Sequence, residues 1–485
     1  MAVSALAWSC AGRERALAIT HVTIIDATGA SPRPDMTVSI LRDRITAISP
    51  AAAANLPWRT TIVDGRGKFL IPGLADMHVH LTGAGEPDGS RKFIIPLLIA
   101  NGITSVRDMG GYLESLLPLR QEIEEGKRLG PRIFLAGPYL DGNPPAFQPS
   151  LVVTNDAQAL EDVRDLVRRG VDFIKVQSRL SRDEYFAIAK DCKSQHISFV
   201  GHVPDRVTAA EASAAGQKSI EHLTGVLRAC SPDEPKLMRE QFSAAAGKEK
   251  TVSSSVRQLD WDSELLHTFS EVQARALWAE FVANDTWQTP TLILLKQNAY
   301  PAENLAGTSD SRIRYLPRPV LARWLESAQR DAAGASQREN SLRKDLMARS
   351  EHIVGEMQQA GVNILAGSDT PAPFVYPGSA LHEELALLVE SGMTPMQALQ
   401  AGTSRPAEFM GKSATQGTIE QGKVADLLLL DADPLVDIHN TKRIYGVVAR
   451  GKFLDRAALD QLLSIAEMFA AGANAPPPAS QKHHL

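Results

Sequence analysis

The sequence predicts an α/β fold: a (β/α)8 TIM barrel joined to a small discontinuous β-sandwich domain built from both chain ends. Three observations predict it. The middle of the chain alternates short apolar runs with segments of helical spacing, which favours successive parallel strands. Eight such runs occur, the number that closes a parallel barrel. The two ends share a different texture, short β-rich runs broken by turn residues. The 485 residues, 44% of them hydrophobic, are ample for a large core plus a smaller domain.

In chain order, residues 1–16 read as a tail or as the remnant of a secretory signal. They are mostly small and apolar but lack a positive n-region. As a tail they fit a cytoplasmic protein; as a remnant, a periplasmic or secreted one. Residues 17–73 together with 412–460 form the predicted β-sandwich domain. Its strands fall at 17–25, 36–48 and 62–64, then at 426–430 and 444–448, and Gly65-Arg66-Gly67-Lys68 marks a turn.

Residues 74–411 form the predicted barrel. Its strands fall at 74–80, 103–108, 133–137, 173–177, 199–202, 219–222, 287–294 and 364–369. Helices are expected at 156–169, 182–195, 208–215 and 341–360. Gly170, Gly216 and Gly361 each follow one of these helices, where a left-handed residue ends the turn. The stretch 228–285 is too long for a loop and reads as a helical insertion able to cover the barrel mouth. Residues 461–485 read as a helix end and a disordered Ala/Pro-rich tail.

Composition excludes several function classes. The net charge is −5 and no basic stripe stands out, so nucleic acid is not an expected partner. No apolar run is long enough to span a bilayer. Cys10, Cys192 and Cys230 are too few and too scattered for a disulfide framework or a Cys-type zinc site. A metal in this chain must be held by His, carboxylate or something less usual.

His and Asp recur at the C-terminal ends of the predicted strands, the edge where such barrels carry their active sites. The first strand ends His78-Val79-His80, and alternation puts both imidazoles on one side. The fourth carries Lys175 within an apolar run, Asp172-Phe173-Ile174-Lys175-Val176. Burial favours the neutral amine, and a neutral amine reacts with CO2 to give a carbamate able to bridge two cations. The fifth strand ends at His202, the sixth at Glu221-His222 and the eighth at Ser368-Asp369. Each residue alone is more often structural than catalytic; their joint placement is the argument. Six candidate ligands, His78, His80, Lys175, His202, His222 and Asp369, converge on one axis. Such a set suits Zn²⁺ best, with Mn²⁺, Fe²⁺ or Co²⁺ as alternatives.

Arg179, Tyr139 and Tyr376 fall on the rim loops and are the candidate substrate contacts, Arg179 as a partner for a substrate carboxylate. Arg107-Asp108 reads as a structural ion pair under the site and His382 as a structural residue. His196 and His352 lie off the strand ends and receive no role.

At these residues the chain resembles the amidohydrolase superfamily. The resemblance is carried by Gly73-Leu74-Ala75-Asp76-Met77-His78-Val79-His80, Phe173-Ile174-Lys175-Val176, Val200-Gly201-His202, Glu221-His222 and Gly367-Ser368-Asp369. Downstream, Gly417-Thr418-Ile419-Glu420-Gln421-Gly422-Lys423-Val424-Ala425-Asp426-Leu427 is similar to the superfamily's return into its β-sandwich. It implies a binuclear site with two divalent metals, most simply Zn²⁺. His78, His80 and Asp369 would hold the first, His202 and His222 the second, and Lys175, carboxylated by CO2, would bridge them. It further implies hydrolysis of a C–N amide bond by metal-activated hydroxide, with Asp369 as the catalytic proton shuttle.

The nearest likeness is to the branch of imidazolonepropionase-like proteins, Xaa-Pro and Xaa-Arg dipeptidases and ochratoxin-type amidases. Lys175 sets the chain apart from imidazolonepropionase itself. The loop Val176-Gln177-Ser178-Arg179-Leu180-Ser181 departs from the Met-Ala-Ser-Gly-Gly-like loop of the dipeptidase and ochratoxinase members. The implied substrate is a small-molecule amide, such as an N-acyl amino acid or a dipeptide-like compound, and the implied assembly a homo-oligomer. The alternatives are a cyclic amide or an ester on the same site, or a non-catalytic assembly module.

Overall fold

The computed structural model describes residues 16–82, 90–246, 254–306, 310–333 and 335–473. The predicted signal remnant and most of the predicted C-terminal tail lie outside them. The fold is α/β. Among the described residues no helix is long and apolar enough to cross a membrane.

Both chain ends enter one eight-stranded sheet. Leu17–Ile24 pairs antiparallel with Arg33–Leu41 and parallel with Thr61–Asp64 and Phe69–Pro72. Leu427–Leu430 returns from the far end of the chain to pair antiparallel with Phe69–Pro72. Leu17, Ile19, Val22, Val38, Ile40 and Leu70 pack there with Leu427 and Leu429 in a core of their own. Lys68 Nζ bonds Asp431 at 2.8 Å, across 363 residues of sequence. The C-terminal helix Arg456–Ala473 then stacks Phe469 on Phe93, with ring centroids 6.1 Å apart.

The middle segment supplies a succession of parallel strands. Leu74–Val79 pairs with Ile103–Asp108, which pairs with Arg132–Leu135. Tyr139–Asp141 pairs with Ile174–Val176, followed by Phe199–Gly201, Ser219–Glu221 and Trp287–Thr289. Single parallel bridges then link Gln288 to Ile364 and Val79 to Thr370, which brings the last segment back to the first strand. Nearly every residue of these strands is buried, as expected where helices cover a parallel sheet. The helices after the fourth and fifth strands start at Ser181 and Thr208. Each carries a capping box, with Glu184 and Glu211 three residues on.

Three boundaries differ from expectation. The seventh strand stops at Thr289, and Leu292–Ala299 is helical. Pro290 has no N–H to extend a ladder and Thr291 sits at φ 48°, so the chain turns there. The third strand is split, because Gly137 at φ 74° and Pro138 interrupt it before Tyr139. The eighth segment pairs through isolated bonds, including Leu365 N to Gln288 O at 2.8 Å and Asp369 N to His78 O at 2.7 Å. The described residues of the stretch 228–285 are mainly helical: Glu234–Ala246, Ser254–His267 and Glu271–Ala283. Further helices after the seventh strand, Pro301–Ala306 and Arg318–Ala333, fall where no element was expected, and the expected helix at 341–360 begins earlier, at Gln337.

Candidate metal centre

The parallel register brings the strand-end residues together. Ring centroids run from His80 to His78 at 5.3 Å, from His78 to His222 at 4.5 Å, and from His222 to His202 at 5.0 Å. Asp369 faces this row. Its Oδ1 lies 3.0 Å from His80 Nε2 and 3.4 Å from His78 Nε2, and its Oδ2 lies 3.9 Å from His222 Nε2. His78, His80 and Asp369 offer ligand atoms within 4.8 Å of one another.

Local backbone sets these directions. His222 and Asp369 both have positive φ, 57° and 64°, which turns each side chain off its strand end. Such non-glycine conformations are held only by surrounding structure. Asp76 supplies part of it, accepting from Ser368 N at 2.9 Å, Ser368 Oγ at 2.6 Å and His78 N at 3.2 Å. Gly367 lets strand eight close on strand one, since a Cβ there would stand 2.6 Å from Thr289 Cγ2 and 2.9 Å from His78 Cβ.

The outer nitrogens fix the tautomers. His78 Nδ1 donates to Glu221 Oε2 at 2.8 Å, and His80 Nδ1 to the Gly110 carbonyl at 3.0 Å. His222 Nδ1 lies 2.6 Å from Thr291 Oγ1. That hydroxyl donates to the Pro290 carbonyl at 2.8 Å, so it accepts from His222. His202 Nδ1 meets Ser178 Oγ at 2.8 Å. His78 and His222 thus turn Nε2 lone pairs towards Asp369, while His80 Nε2 hydrogen-bonds it; outer hydrogen bonds of this kind orient metal-ligating histidines.

Burial favours the neutral rings. It holds His78 and His202 well below the ordinary imidazole value, and takes His222 to about 4. His80 is the exception: burial lowers it, but the hydrogen bond and charge of Asp369 outweigh that and raise it. Asp369 stays acidic, because the neighbouring His222 and His80 outweigh its desolvation. Lys175 is 1% exposed, and burial takes its amine down to about 8. Its Nζ has no hydrogen-bond partner. An orphaned buried amine is costly.

The donor set fits divalent metal. Imidazole nitrogens clustered around one carboxylate are a donor set that a divalent cation satisfies.

The rim residues fall differently. Tyr139 is 6% exposed, and its hydroxyl lies 3.1 Å from His80 Nδ1, so it touches the cluster rather than the rim. Arg179 is exposed, but its Nη1 donates to the carbonyls of Pro144 and Pro145 at 2.9 and 3.3 Å. Tyr376 packs on Trp324 with the Arg312 guanidinium over its ring at 4.2 Å. The expected Arg107–Asp108 pair does not form: Arg107 pairs with Glu221 at 2.9 Å, while Asp108 accepts from the backbone N–H groups of Leu81 and Gly110. His382 bonds the Asn101 carbonyl and Thr441, a structural role. Glu221, Ser178 and Thr291 were missed as supports of the histidines. The one available signal was their place beside a strand-end ligand or loop.

Residues 69–454 match the model of the amidohydrolase family. The chain belongs to the amidohydrolase family. This amidohydrolase is therefore a hydrolase acting on carbon–nitrogen bonds. It is 22% identical over 428 residues to an imidazolonepropionase of Vibrio campbellii, covering 82% of this chain and 85% of that one. To the imidazolonepropionase of Vibrio parahaemolyticus it is 23% identical over 457 residues, 88% of this chain and 94% of that one. Among solved structures, a bottromycin amidohydrolase superposes with a TM-score of 0.72 at 22% identity, covering 95% of this chain and 91% of that chain. A Xaa-Pro dipeptidase with bound methionine gives a TM-score of 0.63 at 19% identity, covering 91% and 100%. At such identities these structures speak for the fold.

Proposed function

We propose that this amidohydrolase is a binuclear metal enzyme on a (β/α)8 barrel that cleaves the C–N bond of a small amide. The class of substrate is an N-acyl amino acid, a dipeptide-like or an ochratoxin-like amide. The observation that carries the reading is the convergence of imidazole Nε2 lone pairs and Asp369 beside the orphaned Lys175 amine. The ring of parallel pairings supports the barrel, and the sheet shared by both chain ends supports a second, discontinuous sandwich domain over 17–73 and 412–460.

In this reading His78, His80 and Asp369 would hold one cation, His202 and His222 would hold the other, and Lys175, carboxylated by CO2, would serve as a further ligand. The donor set suits Zn²⁺. Bound there, divalent cations supply a Lewis acid for the substrate carbonyl and acidify a water. Glu221, the Gly110 carbonyl and Thr291 keep their histidines in the ligating tautomer. Asp369 stays ionised and reaches across the row, so it can take the proton of the attacking water and return it to the leaving nitrogen. Tyr139 braces the outer edge of His80.

The test is turnover of a panel of N-acyl amino acids, dipeptides, cyclic amides and esters. Amide turnover should vanish on exhaustive chelation and return with Zn²⁺. Full activity after removal of all metal would contradict the proposal, and exclusive turnover of the cyclic amides or esters would move the substrate class.

A further inference from the structure

Beneath the imidazole row lies one buried cation that hydrolysis leaves unused. Arg107 is fully enclosed, and its guanidinium is divided among three other strands. Nε donates to the Met77 carbonyl at 2.6 Å and Nη1 to Ser219 Oγ at 3.0 Å. Nη2 donates to both oxygens of Glu221 at 2.9 Å and to Thr289 Oγ1 at 3.0 Å. The rings of Phe173 and Phe409 lie 5.8 and 5.0 Å from it. A buried ion pair is weak evidence for stability, because an apolar pair of similar volume often serves the fold as well.

What distinguishes this pair is where its partners stand. Met77 precedes His78. Glu221 precedes His222, and its Oε2 also accepts from His78 Nδ1 at 2.8 Å. Thr289 accepts the His222 backbone N–H through its carbonyl at 3.0 Å. One guanidinium thus reaches the neighbours of a ligand from each half of the site. We infer that Arg107 and Glu221 are positioning residues that lock His78 and His222 into one frame, so that the two metal ions are held as a unit. This rests on the two-metal reading. A carboxylate with a single histidine partner would orient one ligand; here it is itself oriented by a fork anchored on the strands of both.

The experiment is a zinc titration of the full chain against a chromophoric chelator, paired with visible spectra of the Co²⁺-loaded protein. Glu221→Gln keeps an oxygen for His78 but breaks the charge pairing with Arg107. The folded variant should bind both zinc ions about 10- to 100-fold more weakly, and the Co²⁺ bands should change for both ions. A role confined to the fold would lower the melting temperature and leave zinc affinity and Co²⁺ spectrum unchanged; that result overturns the inference. Should Glu221→Gln not fold, the double variant Arg107→Met/Glu221→Gln removes both charges together, and the same readings apply. Weakening of one ion alone would also overturn it. If the unsubstituted chain takes up fewer than two zinc ions in the same titration, the two-metal reading fails first, and this inference with it.

Discussion

At the scale of single residues, chemistry follows from what burial denies each group. Lys175 is buried and its amine has no hydrogen-bond partner among the described residues, and burial pushes it towards the neutral, nucleophilic form. Asp369 is partly buried, yet facing imidazoles keep it ionised. The proton-shuttle role proposed for it predicts that Asp369→Asn lowers kcat about 100-fold or more, while the four histidines still retain metal. Steady-state kinetics with metal analysis on the same sample checks this. A variant that keeps wild-type kcat would place the shuttle elsewhere. These candidate ligands were legible in the sequence because Lys175 interrupts an apolar run and the histidines and Asp369 fall at the ends of such runs. Glu221 was less so: it reads as half of an Glu-His pair, and only the folded register shows that Arg107 pairs with it rather than with Asp108.

At the scale of elements, the strands position and the helices brace. Glu384, within the helix Ser379–Glu390, accepts the Ile293 N–H at 2.8 Å and so caps the helix that follows Thr291, the partner of His222. Burial takes its carboxyl up to about 8. A group whose folded pKa is raised stabilises the fold fully below its unfolded value, near 4.5, and loses that contribution as pH rises through the folded value. Thermal stability should therefore fall between about pH 5 and pH 8, with a slope of about 1 kcal/mol per pH unit from this group. In Glu384→Gln, which stays uncharged and still accepts the N–H, the slope should flatten. Melting curves across that range check it, and equal slopes in the two proteins would refute it. Element boundaries were harder to read than element order. The seventh strand is cut short by Pro290 and the left-handed Thr291, a local break that overrides the apolar run continuing through Leu294.

At the scale of the whole molecule, the segments on either side of the parallel strands close on each other. Leu427–Leu430 completes the sheet begun by Leu17–Ile24, and Arg132 of the third parallel strand bonds Asp426 at 2.6 Å, tying that sheet to the segment that carries the site. This return was legible because both ends share β texture without helical period. The helices between Pro301 and Gln359 were only partly legible, since their mixed polar and apolar residues lack a sharp boundary signal. The central claim is that the converging ligands hold two cations with Lys175 between them. Elemental analysis of the purified full chain and of a folded Lys175→Ala variant tests it most directly. The account predicts two divalent ions per chain in the former and at most one, with activity lost, in the latter; equal metal content and equal activity in both would contradict it.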